Sequence, residues 1–352
     1  MDEMKRFYIN SVKGAAIFLM LWGHCMEYCS NGRFIPFAYP LFLGIYSFHM
    51  PLFMLVSGYL FFFSYRKRDL KQLLISRTQG MLQPILIGGV FYQFLMTVLY
   101  KCLDQEVSFL GGSLMPELFI FWFLWCNLAC SISVSVSCKV TQNAFLRIGL
   151  LALGCGFMML FPSGNLFLSM YPFFLIGFFF GMFRERLPAW FAGLRYVSLV
   201  LFPVLVSFYE TNDSFYLTPV YDRYIGITAS IQVNAYRLAT GLAGSLFVMT
   251  LLWEAVRLVW GKQQFRLLLK PLAKMGENSL QIYCISTAVI SGYLPVLYPM
   301  IDAAIGYDPF AGRMWLYDFV FTPLLALGYA AVIGIMIWCL KKLKVHSLIF
   351  GR

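Results

Sequence analysis

Charged residues are scarce in this chain, and their scarcity excludes an ordinary soluble fold. Lys, Arg, Asp and Glu make up 12% of the 352 residues, which is roughly half of their share in soluble globular proteins. Hydrophobic residues make up 60%, mostly in long uninterrupted runs. Because a helix of about 20 apolar residues crosses the hydrocarbon core of a bilayer, the sequence predicts an all-α integral membrane protein.

Cysteine pairs, repeats and metal-ligand spacings are also missing. The 9 cysteines include no CxxC pair and lie mainly within apolar runs, which indicates small core residues and no metal site. There is no repeat and no low-complexity tract. The first apolar run contains Lys13 and His24 and lacks a small-residue cleavage site, so we expect no cleaved signal peptide.

We predict about ten transmembrane helices within a single domain over residues 1–352. Placing both termini in the cytoplasm concentrates Lys and Arg inside, as the positive-inside rule requires. The net charge of +11 therefore indicates topology in a bacterial-type inner (plasma) membrane and not nucleic-acid binding. A basic cytoplasmic loop is predicted at 66–78 and an extracytoplasmic loop at 210–235. The predicted spans are 12–30, 41–65, 80–102, 116–138, 145–161, 166–183, 194–209, 236–259, 278–299 and 316–340.

Few ionisable residues fall within these spans, and such residues usually mark function. Two of the 3 histidines, His24 and His49, lie at a similar depth in the first two antiparallel helices when a rise of about 1.5 Å per residue is assumed. Histidine is suited to general base catalysis at neutral pH. Glu27 lies one helical turn after His24, where it could orient the imidazole. Two structural histidines bonded to helix backbones are the alternative interpretation.

Basic residues near the same helices suggest a phosphorylated donor. Lys13 and His24 share one face of the first helix, since eleven residues are close to three full turns. A donor with phosphates at Lys13 and a reactive thioester near His24 would fit this track. The alternatives are snorkelling of Lys13 to the interface and a purely topogenic basic loop. The other candidate phosphate ligands are Arg6, Arg66, Arg68 and Arg77.

Candidate acceptor contacts are fewer. Trp122 and Trp125 either belong to an interfacial aromatic belt or stack on a sugar ring. Arg237 follows the long outer loop and is a further candidate. Residues 262–274 interleave basic and apolar side chains, which predicts an amphipathic helix on the inner leaflet or a basic loop.

Several motifs resemble the membrane acyltransferase-3 family. The opening RFYINSVKGAAIFLMLWGH is similar to the family's first helix, in which an arginine precedes a histidine by eleven positions; Lys13 and His24 occupy those positions. FHMPLFMLVSGYLF, which contains His49, is similar to the second helix. Arg77 matches a basic residue before a proline, and GENSLQIYCIS is a weaker match. The likeness is strongest to fucose 4-O-acetylase-like enzymes among the surface-polysaccharide O-acetyltransferases.

This resemblance implies an O-acyltransferase that uses cytoplasmic acyl-CoA, most often acetyl-CoA, and no metal. The acceptor would be a carbohydrate or lipid-linked glycan of the cell envelope. His24 would be the general base, and His49 a helper or a donor that polarises the oxyanion. Asn278 and Tyr283, in the weaker motif, are predicted substrate contacts. Two alternatives stay open: a small-molecule transporter, and an inactive scaffold, to which the departures from the family pattern point, namely Asn10, Lys13, Gly80 and Ser286.

Overall fold

The computed structural model describes residues 3–29, 37, 39–103, 118–305 and 313–350. These residues form helices and contain no strand. The first six helices are α1 (Glu3–Tyr28), α2 (Pro40–Lys67), α3 (Leu70–Cys102), α4 (Trp122–Val140), α5 (Ala144–Met158) and α6 (Gly164–Phe183). A 3₁₀ segment, Ala189–Val197, leads into α7 (Ser198–Ser207). The remaining helices are α8 (Gly226–Trp260), α9 (Gln263–Glu277), α10 (Ser279–Ile305), α11 (Met314–Lys342) and α12 (His346–Phe350).

Within the described ranges, 6 helices are long and apolar enough to cross a membrane, namely α2, α3, α4, α6, α8 and α11. The two parts of α10, which meet at a bend of 41°, would make a seventh span. The shorter helices α5 and α7 are also apolar. Helix α1 is not in this group, because Lys13, His24 and Glu27 interrupt its apolar sequence. The all-helical fold is thus observed with these candidate spans, and the total of ten spans and the cytoplasmic position of both termini stay predictions.

Two predicted loops are shorter in the structure. Residues 66–78 are largely helical, because Asp69 accepts a hydrogen bond from the Gln72 amide at 2.7 Å and caps the start of α3. The break between α2 and α3 is therefore confined to Arg68 and Asp69. Residues 210–235 are a loop only as far as 225, since α8 begins at Gly226. The predicted amphipathic helix forms as α9.

Helix α2 lies at the centre of the bundle. In the apolar part of α2, 83% of residues are buried, against 22% in α11. Helix α2 packs against α1, α6 and α8, and glycines allow its closest approach to α6. A methyl group at Gly58 would overlap the carbonyl oxygen of Phe174, and one at Gly177 would overlap that of Leu55. This reciprocal contact fixes the helix that carries His49.

Helix α1 has an equivalent close contact with α9. A methyl group at Gly14 would overlap the carbonyl oxygen of Leu272, and one at Gly276 would overlap that of Asn10. Backbones can approach this closely only where the side chains are small. The contact holds the first half of α1, including Lys13, against the C-terminal half of α9.

Candidate active site

A cavity of about 400 Å³ lies between α1, α2, α3, α4, α10 and α12. One end is basic and is lined by Lys13, Arg68 and Arg77. The other end is apolar and includes Met20 and Met50. The polar side chains along the rest of the wall belong to Ser57, Ser64, Ser76, Asn127, Ser279 and Tyr283. The cavity thus combines a cationic entrance with an apolar interior, as an elongated amphipathic ligand requires.

The cations at the basic end are held in different ways. Arg68 donates a hydrogen bond from Nη1 to Ser76 Oγ at 2.6 Å. The Arg77 guanidinium lies over the ring of Phe61, 4.7 Å from its centroid. Lys13 is half-buried, and the carboxylate of Glu277 lies within electrostatic range of it. Arg6 and Arg66 are exposed and do not line the cavity.

His24 lies beyond the apolar end of the cavity and contacts Glu27. The distance from His24 Nδ1 to Glu27 Oε2 is 3.3 Å, and each side chain is 28% exposed. The Tyr46 hydroxyl lies 3.4 Å from the same nitrogen. In the tautomer that donates Nδ1–H to Glu27, the lone pair is on Nε2. His24 is therefore an accessible imidazole with a carboxylate behind it, which is the arrangement of a general base.

His49 is buried, with 2% of its surface exposed. Its Nδ1 lies 2.9 Å from the carbonyl oxygen of Ile45, and only a protonated nitrogen can donate to that acceptor. The lone pair of neutral His49 is consequently on Nε2. The predicted role as donor to an oxyanion would need a second proton on this ring, whereas a helper that accepts a hydrogen bond fits the neutral form.

The ring of Tyr46 lies between the two histidines. The Tyr46 centroid is 6.3 Å from that of His24 and 4.7 Å from that of His49. Sequence reasoning did not select Tyr46, although its position one turn before His49 was a usable signal. The two imidazoles are therefore linked through a tyrosine.

The cavity does not reach His24. Met20 lies one turn before His24 on α1, and Met50 directly follows His49 on α2. Both methionines line the cavity, whereas neither histidine does. The cavity thus follows the predicted track from Lys13 as far as Met20, one turn short of His24.

The predicted acceptor contacts are scattered. Tyr283 lines the cavity, and its hydroxyl accepts a hydrogen bond from the Phe123 amide at 3.4 Å. Trp125 donates from Nε1 to the Leu118 carbonyl oxygen at 3.1 Å, a structural contact. Asn278 is half-buried just beyond the end of α9, where its Oδ1 accepts a hydrogen bond from Lys341 at 2.9 Å.

Trp122 and Arg237 lie on the side of the bundle that carries His24. Trp122 makes an edge-to-face contact with Tyr216, at a centroid distance of 6.2 Å. Arg237 is buried, with 1% of its surface exposed, and donates to backbone carbonyl oxygens of the loop before α8. These bonds occupy its guanidinium, so the structure gives Arg237 an anchoring contact instead of an open acceptor site.

The decisive comparison is with protein families. A family model described as an acyltransferase domain matches residues 6–342, which include the cavity and the His24–Glu27 pair. The chain belongs to the acyltransferase-3 family. Together with its apolar helices, this makes the protein a multi-pass membrane acyltransferase.

A curated relative of this acyltransferase is nodulation protein NolL of Mesorhizobium japonicum. The two are 25% identical over 289 residues, which cover 79% of this chain and 74% of NolL. No solved structure matches the chain.

Proposed function

We propose that this acyltransferase transfers an acyl group, in the first instance acetyl, from cytoplasmic acyl-CoA to a hydroxyl of an envelope carbohydrate or lipid-linked glycan. The protein would lie in a bacterial-type inner membrane with ten spans and both termini in the cytoplasm. The observation that carries this proposal is the His24–Glu27 pair on the same helix as Lys13, one turn beyond a cavity with a cationic entrance.

The cavity suits the donor. Lys13, Arg68 and Arg77 would bind the phosphates, since basic side chains make strong charge-assisted bonds to phosphate oxygens. The apolar interior would hold the flexible arm that leads to the thioester. Met20 and Met50 would move aside to let the acyl carbonyl approach His24, because methionine has unbranched and adaptable side-chain torsions.

The proposed acyl transfer uses the His24–Glu27 pair as a general base and its supporting carboxylate. The sugar hydroxyl oxygen would attack the thioester carbonyl carbon while His24 Nε2 takes the hydroxyl proton. The tetrahedral intermediate would then collapse, the C–S bond would break, and the CoA thiolate would take the proton from His24. Glu27 would stabilise the transient imidazolium through Nδ1. The products are an O-acyl sugar and the free CoA thiol.

The test compares the two histidines. Membranes carrying wild-type protein, His24→Gln or His49→Gln would be incubated with labelled acetyl-CoA and the surface glycan of the host cells, stripped of O-acyl groups by mild alkali. We expect His24→Gln to lower transfer by roughly 10²- to 10⁴-fold, as for loss of a general base, and His49→Gln to lower it less. If the His24→Gln variant transferred acetyl groups at the wild-type rate, at equal protein abundance, the proposal would be contradicted.

Mass spectrometry of the glycan tests the reaction independently of the assay. Cells with the protein should carry an additional acyl mass on the glycan, and cells without it should lack that mass. The position of the acyl group on the product would identify the accepting sugar and hydroxyl.

A further inference from the structure

The loop before α8 is folded back into the bundle by Arg237. Its Nε donates to the Asp213 carbonyl oxygen at 2.8 Å, and its Nη2 donates to those of Ser214 at 2.9 Å and Asn212 at 3.1 Å. Three consecutive carbonyls are thus bound by one buried side chain. A buried guanidinium without these acceptors would be costly, so the loop conformation and Arg237 depend on each other.

Further contacts fix the segment formed by residues 209–216. The Tyr209 hydroxyl donates to the Asp213 carbonyl oxygen at 2.6 Å, and the Glu210 amide donates to Asp213 Oδ2 at 2.9 Å. Phe215 is buried against Phe173, at a centroid distance of 6.1 Å. The segment is therefore a rigid part of the bundle.

This anchoring packs Tyr216 against Tyr46, which is a direct neighbour of the proposed base. The Tyr216 ring is 5.4 Å from that of Tyr46, whose hydroxyl contacts His24. It is also 6.2 Å from Trp122. On the other side, Tyr28 stacks on His24 at 5.6 Å with an interplanar angle of 9°. Tyr28 and Tyr46 thus contact the accessible imidazole, and Tyr216 and Trp122 extend this aromatic cluster beyond Tyr46.

Two properties distinguish Tyr216 from a core residue. It is half-buried, and in the described part of the chain its hydroxyl has no hydrogen-bond partner. His24 is 28% exposed although it does not line the donor cavity. The exposed side of His24 is therefore separate from the basic cavity, as is the aromatic cluster around it.

We infer that Tyr216 is an acceptor-binding residue and that Arg237 is the positioning residue that holds it beside His24. The inference rests on the proposed function, since it assigns the second substrate of that reaction. A sugar ring presents apolar C–H faces together with hydroxyl groups. An aromatic ring with a free phenolic hydroxyl matches both. The acceptor would thus reach His24 on the aromatic side, and the donor would reach it from the basic cavity.

Kinetics with varied acceptor test this inference. Tyr216→Ala and Tyr216→Phe would be compared with Tyr221→Ala, an exposed tyrosine of the same loop. The probe is labelled acetyl-CoA with a dilution series of the alkali-treated surface glycan. We expect Tyr216→Ala to raise the KM for glycan by roughly 2- to 12-fold, as for loss of an aromatic contact, with an unchanged KM for acetyl-CoA. Tyr216→Phe should give a smaller rise, and Tyr221→Ala none.

Arg237→Lys tests the positioning role. Lysine keeps the charge but cannot donate to three carbonyls with a planar fork. It should raise the KM for glycan like Tyr216→Ala, and adding Tyr216→Ala to it should cause little further rise, because both changes act through the same ring.

Three results would overturn the inference. They are an unchanged KM for glycan in Tyr216→Ala, an equal rise in Tyr221→Ala, and a fully additive double variant. If these occur while His24→Gln remains inactive, only the assignment of Tyr216 fails. If the wild type labels no glycan or His24→Gln labels it normally, the proposed function itself fails.

Discussion

The two halves of α1 are built for different tasks. The first half, residues 3–15, packs against α9 through Gly14 and directs Lys13 to the cavity. The second half, residues 21–28, contacts α2 through Tyr46 and carries His24 and Glu27. A cation thus lies near the middle of the helix, and a base with its carboxylate lies near its C-terminal end.

The difference shows how one helix can serve two substrates. Each half is held by its own neighbour, the first by α9 and the second by α2. Because the supports are separate, damage to one half should change the kinetics of one substrate only. Substitutions in the first half should therefore affect the donor, and substitutions in the second half should affect the chemical step.

The largest effect is expected from removing the support of the first half. Gly14→Val places a branched side chain against the Leu272 carbonyl, so α1 and α9 must separate. Overpacking of this kind costs about 1–3 kcal/mol, and we expect a lower melting temperature together with a KM for acetyl-CoA too high to saturate, because Lys13 is displaced from the cavity. Thermal unfolding of the detergent-solubilised protein would measure this. The matched control is Gly334→Val, because a Cβ at Gly334 has no neighbour within 4 Å; equal melting temperatures would contradict the prediction.

Lys13→Met should separate donor binding from chemistry. Loss of a charge-assisted bond to phosphate costs about 1.5–3 kcal/mol, which corresponds to a rise in the KM for acetyl-CoA of roughly 10- to 150-fold. The rate at saturating donor should change less, and Lys13→Arg should retain low KM because a cation remains. Steady-state kinetics with varied acetyl-CoA provide the measurement. Lys5→Met, at an exposed position of α1, is the control, and the assignment fails if it behaves like Lys13→Met.

Glu27→Gln should affect the second half alone. A neutral amide stabilises the imidazolium less than a carboxylate does, and at a partly exposed site we expect roughly a 10-fold fall in kcat with little change in the KM for acetyl-CoA. In a double-variant cycle, Glu27→Gln should cost nothing further once His24 is Gln, since the carboxylate acts through that ring. Additive losses would show that Glu27 acts elsewhere.

The sequence was sufficient to predict the helical membrane fold and the helices that carry the site. Hydropathy is a local property, and Lys13, His24 and His49 are conspicuous because polar residues are rare in such spans. Helical periodicity also placed Lys13 and His24 on a common side of α1. These inferences need no knowledge of how the helices pack.

The features that the sequence did not predict depend on how the helices and loops pack together. The end of the cavity depends on how α1 and α2 place Met20 and Met50 in its wall, and neither residue carries a local signal. Arg237 was predicted as an acceptor contact, but the loop before α8 supplies three carbonyl oxygens to it. The helical conformation of residues 70–78 could have been predicted from Asp69, a residue that often caps the start of a helix. The high density of positive charge in this segment favoured the prediction of a loop instead.

The smallest effect should come from Arg77→Lys, which keeps the charge of the cavity and changes only its geometry. The planar guanidinium of Arg77 lies over Phe61, and lysine would lose most of this stacking. A cation–π contact contributes about 0.5–1 kcal/mol at exposed sites, so we expect a rise in the KM for acetyl-CoA of roughly 2- to 5-fold. The same change at exposed Arg66, outside the cavity lining, should have no effect. If Arg77→Lys and Arg66→Lys raise this KM equally, donor binding depends on the total charge near the α2–α3 break and not on the Arg77 side chain inside the cavity.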